Sequence, residues 1–164
     1  MAGTSKPGER NGRPQLTREG YAQLGERVTD IRERRLPEMR PLLIESERDE
    51  RIVAEFERLI EESGTLEVFL VQADIISIPQ SAVADGVLLG MRVRVTLEGG
   101  VEEWVRPVHP EEAFLDEERI SATSPLAAAL LGAKVGDTVM VEAPTGAWPC
   151  RVLDVDLEGV EADS

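Results

Sequence analysis

Two apolar seams at helical spacing, separated by a short charged break, constrain this chain more than any other feature. Tyr21, Leu24, Val28 and Ile31 follow one another at intervals of 3, 4 and 3. Met39, Leu42 and Leu43 roughly continue the series. A second seam runs through Ile52, Phe56, Leu59, Ser63, Leu66, Leu70 and Ala73, weakened in its middle by Ser63-Gly64. Such a narrow stripe buries itself against one partner helix rather than a broad core. Between the seams, Glu45-Ser46-Glu47-Arg48-Asp49-Glu50 offers no apolar anchor. The pattern predicts an antiparallel helical hairpin over residues 16–77, with arms of at most about 40 Å at 1.5 Å per residue. Thr17 is placed to cap its first helix, with Glu19 in the first turn. Pro37 and Pro41 each remove a helical hydrogen bond, so a kink or local break is expected there.

After Ile78-Pro79 the period falls to two. Val87 and Leu89, then Met91, Val93, Val95 and Leu97, alternate with small or polar residues and read as strands. Gly99-Gly100 reads as a hairpin turn, and Val101 to Val108 as the returning strand. Glu111 to Glu118 reads as an acidic loop or short turn. Ser124 reads as the N-cap and Pro125 as the first residue of a short helix over Leu126 to Leu131, stopped by Gly132. Strands follow over Thr138 to Glu142 and Cys150 to Asp156. The expected fold class is α+β: a helical hairpin, then a small, mostly antiparallel β domain with one short helix over 78–157. Residues 1–15, rich in Gly, Pro and charge, read as a disordered tail. Residues 158–164 read as a frayed acidic tail.

Composition narrows the function. Of 164 residues, 32 are Asp or Glu and 18 are Lys or Arg, a net charge of -14. Binding nucleic acid through its phosphates needs clustered cations, so direct sequence-specific DNA binding is not expected. Aromatics are only 4%, too few for base stacking. The single cysteine, Cys150, excludes an internal disulfide, and the single histidine, His109, argues against a His-rich metal site or a Ser-His-Asp triad. There is no secretory signal and no membrane span, so the expected location is cytoplasmic. Trp104 and Trp148 read as sheet-packing residues, with Trp148-Pro149 able to form an apolar edge. Gly132 and Gly136 lack the spacing of a phosphate loop. Any chemistry falls to carboxylates, and the charged break supplies Glu45, Glu47, Asp49 and Glu50.

The C-terminal half carries a specific string: Ile120-Ser121-Ala122-Thr123-Ser124-Pro125-Leu126, then Leu130-Leu131-Gly132-Ala133-Lys134-Val135-Gly136-Asp137, then Val139, Val141, Pro144 and Gly146. It resembles the C-terminal domain of the bacterial Gre transcript-cleavage and elongation factors, the GreA/GreB family. Leu16-Thr17-Arg18-Glu19-Gly20-Tyr21 resembles the start of that family's coiled coil, and Arg34-Arg35-Leu36-Pro37-Glu38 its Arg-Arg-Pro-Glu segment. The resemblance implies an FKBP-like domain that binds RNA polymerase at the rim of its secondary channel, with Thr123, Ser124 and Pro125 at the contact. It implies a coiled coil inserted in the channel, where two tip acids of the family hold a magnesium ion of the polymerase active site. The protein would have no catalysis and no cofactor of its own, and would act as a monomer.

The family's tip signature, close to Asp-Leu-Ser-Glu-Asn-Ala-Glu-Tyr, is missing. Aligning Pro37 with the family proline, and Ala73-Asp74-Ile75 with the end of the second helix, leaves the hairpin short by on the order of nine residues. Shared over two arms, that lowers the tip by about 7 Å. Carboxylates suit magnesium, but a misplacement of about 1 Å already costs about 100-fold in rate. The resemblance therefore implies an elongation factor that modulates polymerase without stimulating transcript cleavage. Two alternatives stay open: an active cleavage factor using the four acids named above, or a coiled-coil adaptor unrelated to transcription. An FKBP-type prolyl isomerase needs an aromatic-lined pocket, for which the β domain offers Trp104, Phe114 and Trp148.

Overall fold

The computed structural model describes residues 6–44 and 49–162. The chain divides into two units, one formed by Met1–Gly20 with Asp74–Ser164 and the other by Tyr21–Ala73. The elements run β1 (Glu9–Arg10), β2 (Arg13–Leu16), α1 (Arg18–Asp30), a π-helical turn (Ile31–Arg35), α2 (Leu36–Ile44), α3 (Glu50–Gln72) and β3 (Asp74–Ile75). Then follow β4 (Arg92–Thr96), β5 (Glu102–Val108), β6 (Arg119–Ser121), α4 (Pro125–Leu130), β7 (Thr138–Ala143) and β8 (Gly146–Asp156). This is an α+β chain with a long helical hairpin.

Within the helical unit, Ile31, Leu36 and Leu59 are buried, and Met39 and Phe56 pack on them. Ser63 is buried as well and turns its hydroxyl to the Ile60 carbonyl at 3.0 Å. The arms are also tied by Arg27–Glu62 at 2.8 Å, Arg35–Glu55 at 3.3 Å and Arg32–Glu67. These pairs are exposed enough that each adds only about 0–1 kcal/mol. The expected break at the prolines takes another form. The helix widens ahead of Pro37, where the Leu36 N–H reaches back to the Ile31 carbonyl. Pro41 lies inside α2 without ending it. The widened turn has a packing reason: from Ile31 the next seam residue, Leu36, lies five positions on. An α-helical register would bring Arg35 to the seam instead.

The other unit holds two sheets. The larger has strand order β6-β5-β4-β8-β7, antiparallel except for the β5–β6 pair. Its core is aliphatic: Val87, Val93, Val95, Val105, Leu130, Val141, Cys150 and Val152 are buried together, and Trp148 packs against them. Trp104 has the Arg92 guanidinium over its ring at 4.3 Å, a cation–π contact. Phe114, by contrast, is 69% exposed. Val87 and Leu89 do not form a strand. A 3-10 turn spans Gln80–Asp85, and the Val87 N–H then bonds the Ala133 carbonyl at 2.7 Å.

Two expectations about the termini are corrected. The leader is not disordered from residue 6 onward, because β1 and β2 pair antiparallel and β2 pairs parallel with β3. Asn11 and Gly12 both take positive φ, 53° and 73°, as a two-residue hairpin turn with the twist of its strands requires. Pro14 and Leu16 are buried. The acidic tail is not frayed through Ala162. Val160 is buried with Ile78, Met91 and Leu157, and Ile78 donates to the Val160 carbonyl and accepts from the Ala162 N–H.

Candidate functional site

At the hairpin end, α2 is described as far as Ile44 and α3 from Glu50. The candidate acids Glu45 and Glu47 lie outside the described residues. Asp49 is the N-cap of α3, and its carboxylate accepts the Arg51 N–H at 2.9 Å. Glu50 is exposed in the first helical turn, where a negative charge favours the helix dipole. Among the described residues no group of three or more His, Cys, Asp or Glu side chains could hold a metal ion. Of the two described acids, Asp49 is committed to capping. Beside them a cleft of about 490 Å³ is lined by Leu43, Val53, Phe56, Glu57 and Ile60.

In the other unit, the segment from Ser121 to Pro125 presents a small polar surface. The Ser121 and Thr123 hydroxyls lie 2.6 Å apart, and the Thr123 N–H donates to the Ser121 hydroxyl at 3.2 Å. Ser124 caps α4 by accepting the Ala127 N–H at 3.2 Å. Pro125 occupies the first helical position, where a missing N–H costs nothing. Thr123 and Pro125 are exposed and Ser124 is half-buried. Local bonds thus tie the loop to itself and to α4 while its tip faces solvent. That geometry suits a docking contact.

A third cluster escaped the sequence reading. Glu112, from the acidic loop, is fully buried. Its carboxylate accepts the Thr17 N–H at 2.8 Å and the Thr17 hydroxyl at 2.7 Å. Thr17 in turn accepts the Gly20 N–H at 3.0 Å, capping α1. Arg119, its side chain 3% exposed, pairs with Glu112 at 3.2 Å, Glu19 at 3.1 Å and Asp116. Burial works against the Arg119 charge, but its hydrogen bonds to Glu19 and Glu112, together with the charges of Asp116 and Glu112, hold it above the ordinary arginine value. Gly20 is closely packed here, since a Cβ would lie 2.5 Å from the Glu112 carboxyl and one of the two would have to shift. Nothing in the run Glu111 to Glu118 marks Glu112 as different from its neighbours. Its partner Thr17 is 95 positions away.

His109 is buried, and its Nδ1 accepts the Glu111 N–H at 3.0 Å. Burial lowers its pKa from the ordinary value, opposed by Glu111 and Glu9. Burial also pushes the Cys150 thiol up, so it behaves as an inert packing residue.

Residues 81–157 match the sequence pattern of the transcription elongation factor GreA/GreB C-terminal domain. The transcription elongation factor GreA of Thermotoga petrophila is 35% identical over 148 residues, covering 85% of this chain and 95% of that protein. Those 148 aligned positions take in about 139 of the 164 residues here, so about nine positions of the relative have no counterpart. GreA of Bradyrhizobium diazoefficiens is 36% identical over 155 residues, covering 86% and 96%. Among solved structures, the GreA factor homolog 1 (Gfh1) protein of Thermus thermophilus is 30% identical, covering 86% of this chain and 97% of that one, with a TM-score of 0.38. With relatives at this identity along most of its length, the chain belongs to the GreA/GreB family of transcription elongation factors.

Proposed function

We propose that this protein binds bacterial RNA polymerase at the secondary channel and modulates elongation without stimulating transcript cleavage. The β-rich unit, read as FKBP-like, docks through Thr123, Ser124 and Pro125, and the helical hairpin occupies the channel. The observation that carries this reading is the short helix-to-helix connection. Only residues 45–49 separate α2 from α3, and Asp49 already serves as the cap of α3. The sequence between Ile44 and Glu50 holds five residues, against the eight of the cleavage factors' tip signature. The hairpin end then acts as a charged plug, and magnesium belongs to the polymerase alone. The protein works as a monomer in the cytoplasm, with no direct reading of DNA sequence. In keeping with that, no helix among the described residues is long and apolar enough to cross a membrane.

A transcript-cleavage assay on backtracked elongation complexes tests the proposal, run alone and against a genuine GreA as competitor. The expected result is no stimulated cleavage, together with inhibition of GreA-stimulated cleavage that is lost in Pro125→Glu. Robust cleavage abolished by Glu47→Ala or Asp49→Ala would overturn the non-catalytic half. Failure to co-purify with RNA polymerase at moderate salt would overturn the binding half in favour of an adaptor outside transcription.

A further inference from the structure

One concavity of the β-rich unit is lined by none of the docking-loop residues. It is a groove of about 810 Å³ beside the small three-stranded sheet. Ile76, Leu88 and Leu89 supply apolar surface, and Lys6, Arg10 and Arg13 stand along it. In a chain of net charge -14, three cations on one short segment are a local inversion of sign. Of the two acids lining the groove, Asp74 is already engaged by Arg13 at 3.1 Å, which leaves Glu9. No aromatic side chain lines it among the described residues, so it lacks the stacking platform of a single-stranded nucleic-acid site.

The backbone adds direction. β3 is an edge strand of its sheet. The Ile76 N–H bonds the Leu16 carbonyl at 2.8 Å, and Leu16 is in register with Ile75. In a parallel ladder the bonds to one neighbour come from alternate residues. Asp74 and Ile76 therefore face β2, and the Ile75 N–H and C=O point to the outer side. The Ile75 side chain is 41% exposed. An outward backbone pair next to an apolar trough is the geometry of strand addition.

We infer that this groove binds an extended acidic and aliphatic segment of a partner protein, added as a strand along β3. Its aliphatic side chains lie on Ile76, Leu88 and Leu89, and its carboxylates meet Lys6 and Arg10. The surface is separate from the polymerase-docking loop, and the inference does not depend on the function proposed above.

The test is an amide-resolved NMR titration of the full chain with an octapeptide alternating Glu and Val, and with the matching Lys and Val peptide. Saturable shifts at Ile75, Ser77, Leu88 and Leu89 are expected with the acidic peptide and not with the basic one. Arg10→Glu and Leu88→Glu, both at exposed positions, are each expected to weaken binding by about fivefold or more. Their melting temperatures, read in parallel, are expected to stay unchanged. Several results overturn the inference: no saturable shift at millimolar peptide, equal binding of the basic peptide, shifts confined to other surfaces, or tighter binding of a single-stranded RNA decamer at the same residues. Because no polymerase is present, failure here leaves the docking test untouched, and the converse also holds.

Discussion

Gly20→Ala is the most discriminating substitution this fold offers. In most helix interiors alanine is favoured over glycine by about 1 kcal/mol. Here the new Cβ would lie 2.5 Å from Glu112 Cδ and Oε2 and 2.7 Å from Oε1. The carboxylate is fully buried and fixed by the Thr17 N–H, the Thr17 hydroxyl and Arg119. It cannot withdraw without breaking at least one of these bonds, each worth about 1.5–3 kcal/mol because the acceptor is charged. After subtracting the helix preference, the net loss from one broken bond is about 0.5–2 kcal/mol, a drop of roughly 1–8 °C in melting temperature for a chain of this size. Glu112→Ala alone leaves Arg119 buried and short of one partner and is expected to cost about 3–5 kcal/mol. In that background Gly20→Ala meets no carboxylate, and its effect changes sign to a gain of up to about 1 kcal/mol. Thermal and urea unfolding of the two single variants and the double variant measure the coupling. If Gly20→Ala stabilises the parent protein, or if its sign is the same in both backgrounds, the described packing of Glu112 against the first turn of α1 is wrong.

Other glycines give the opposite sign. Gly25 and Gly64 lie in α1 and α3 with open space where a Cβ would go, so Gly25→Ala and Gly64→Ala are each expected to add about 0.5–1 kcal/mol in urea unfolding. Gly12→Val, at a φ of 73°, is expected to loosen the β1–β2 hairpin, read as faster amide exchange at Gln15, whose N–H bonds the Gly8 carbonyl. The lowered pKa of His109 means that the unfolded chain binds more protons just below the ordinary histidine value. Its contribution is therefore fully present above about pH 6.5 and lost as the pH falls from there toward the lowered folded value. His109→Gln, which keeps an acceptor for the Glu111 N–H, is expected to flatten that part of the stability–pH curve. An unchanged slope between pH 7.5 and 5.5 would refute the assignment.

The features legible in the sequence are those encoded by neighbours. Ser124-Pro125 ahead of an apolar run and Thr17 ahead of the first seam are local signals, and both are caps in the structure. The paired seams are also local, and Leu59, Ser63, Leu66 and Leu70 are buried where their spacing put them. Asn11-Gly12 is a two-residue turn signal, but the charge and glycine around it carry no local sign that the segment is ordered. The ordering of that segment depends on β3, some 60 positions later, through the Gln15–Asp74 register. Glu112 and Arg119 were not legible. An acid in an acidic loop becomes a buried anchor only when Thr17 and Gly20 are brought to it, and no local pattern encodes that meeting. Of the candidate tip acids, Asp49 was legible as chemistry but serves as a helix cap.

The widened turn at Ile31–Arg35 bears on how such a hairpin can change length. Along a regular helix, adding or removing one residue shifts everything beyond it by only about 1.5 Å but rotates it by about 100°. The facing of the distal end is thus far more sensitive to an insertion or deletion than its reach. A five-residue step between Ile31 and Leu36 absorbs one such increment, and it resets the azimuth of α2 so that Leu36 and Met39 meet Phe56 and Leu59. Arm length and helix facing thereby become separately adjustable.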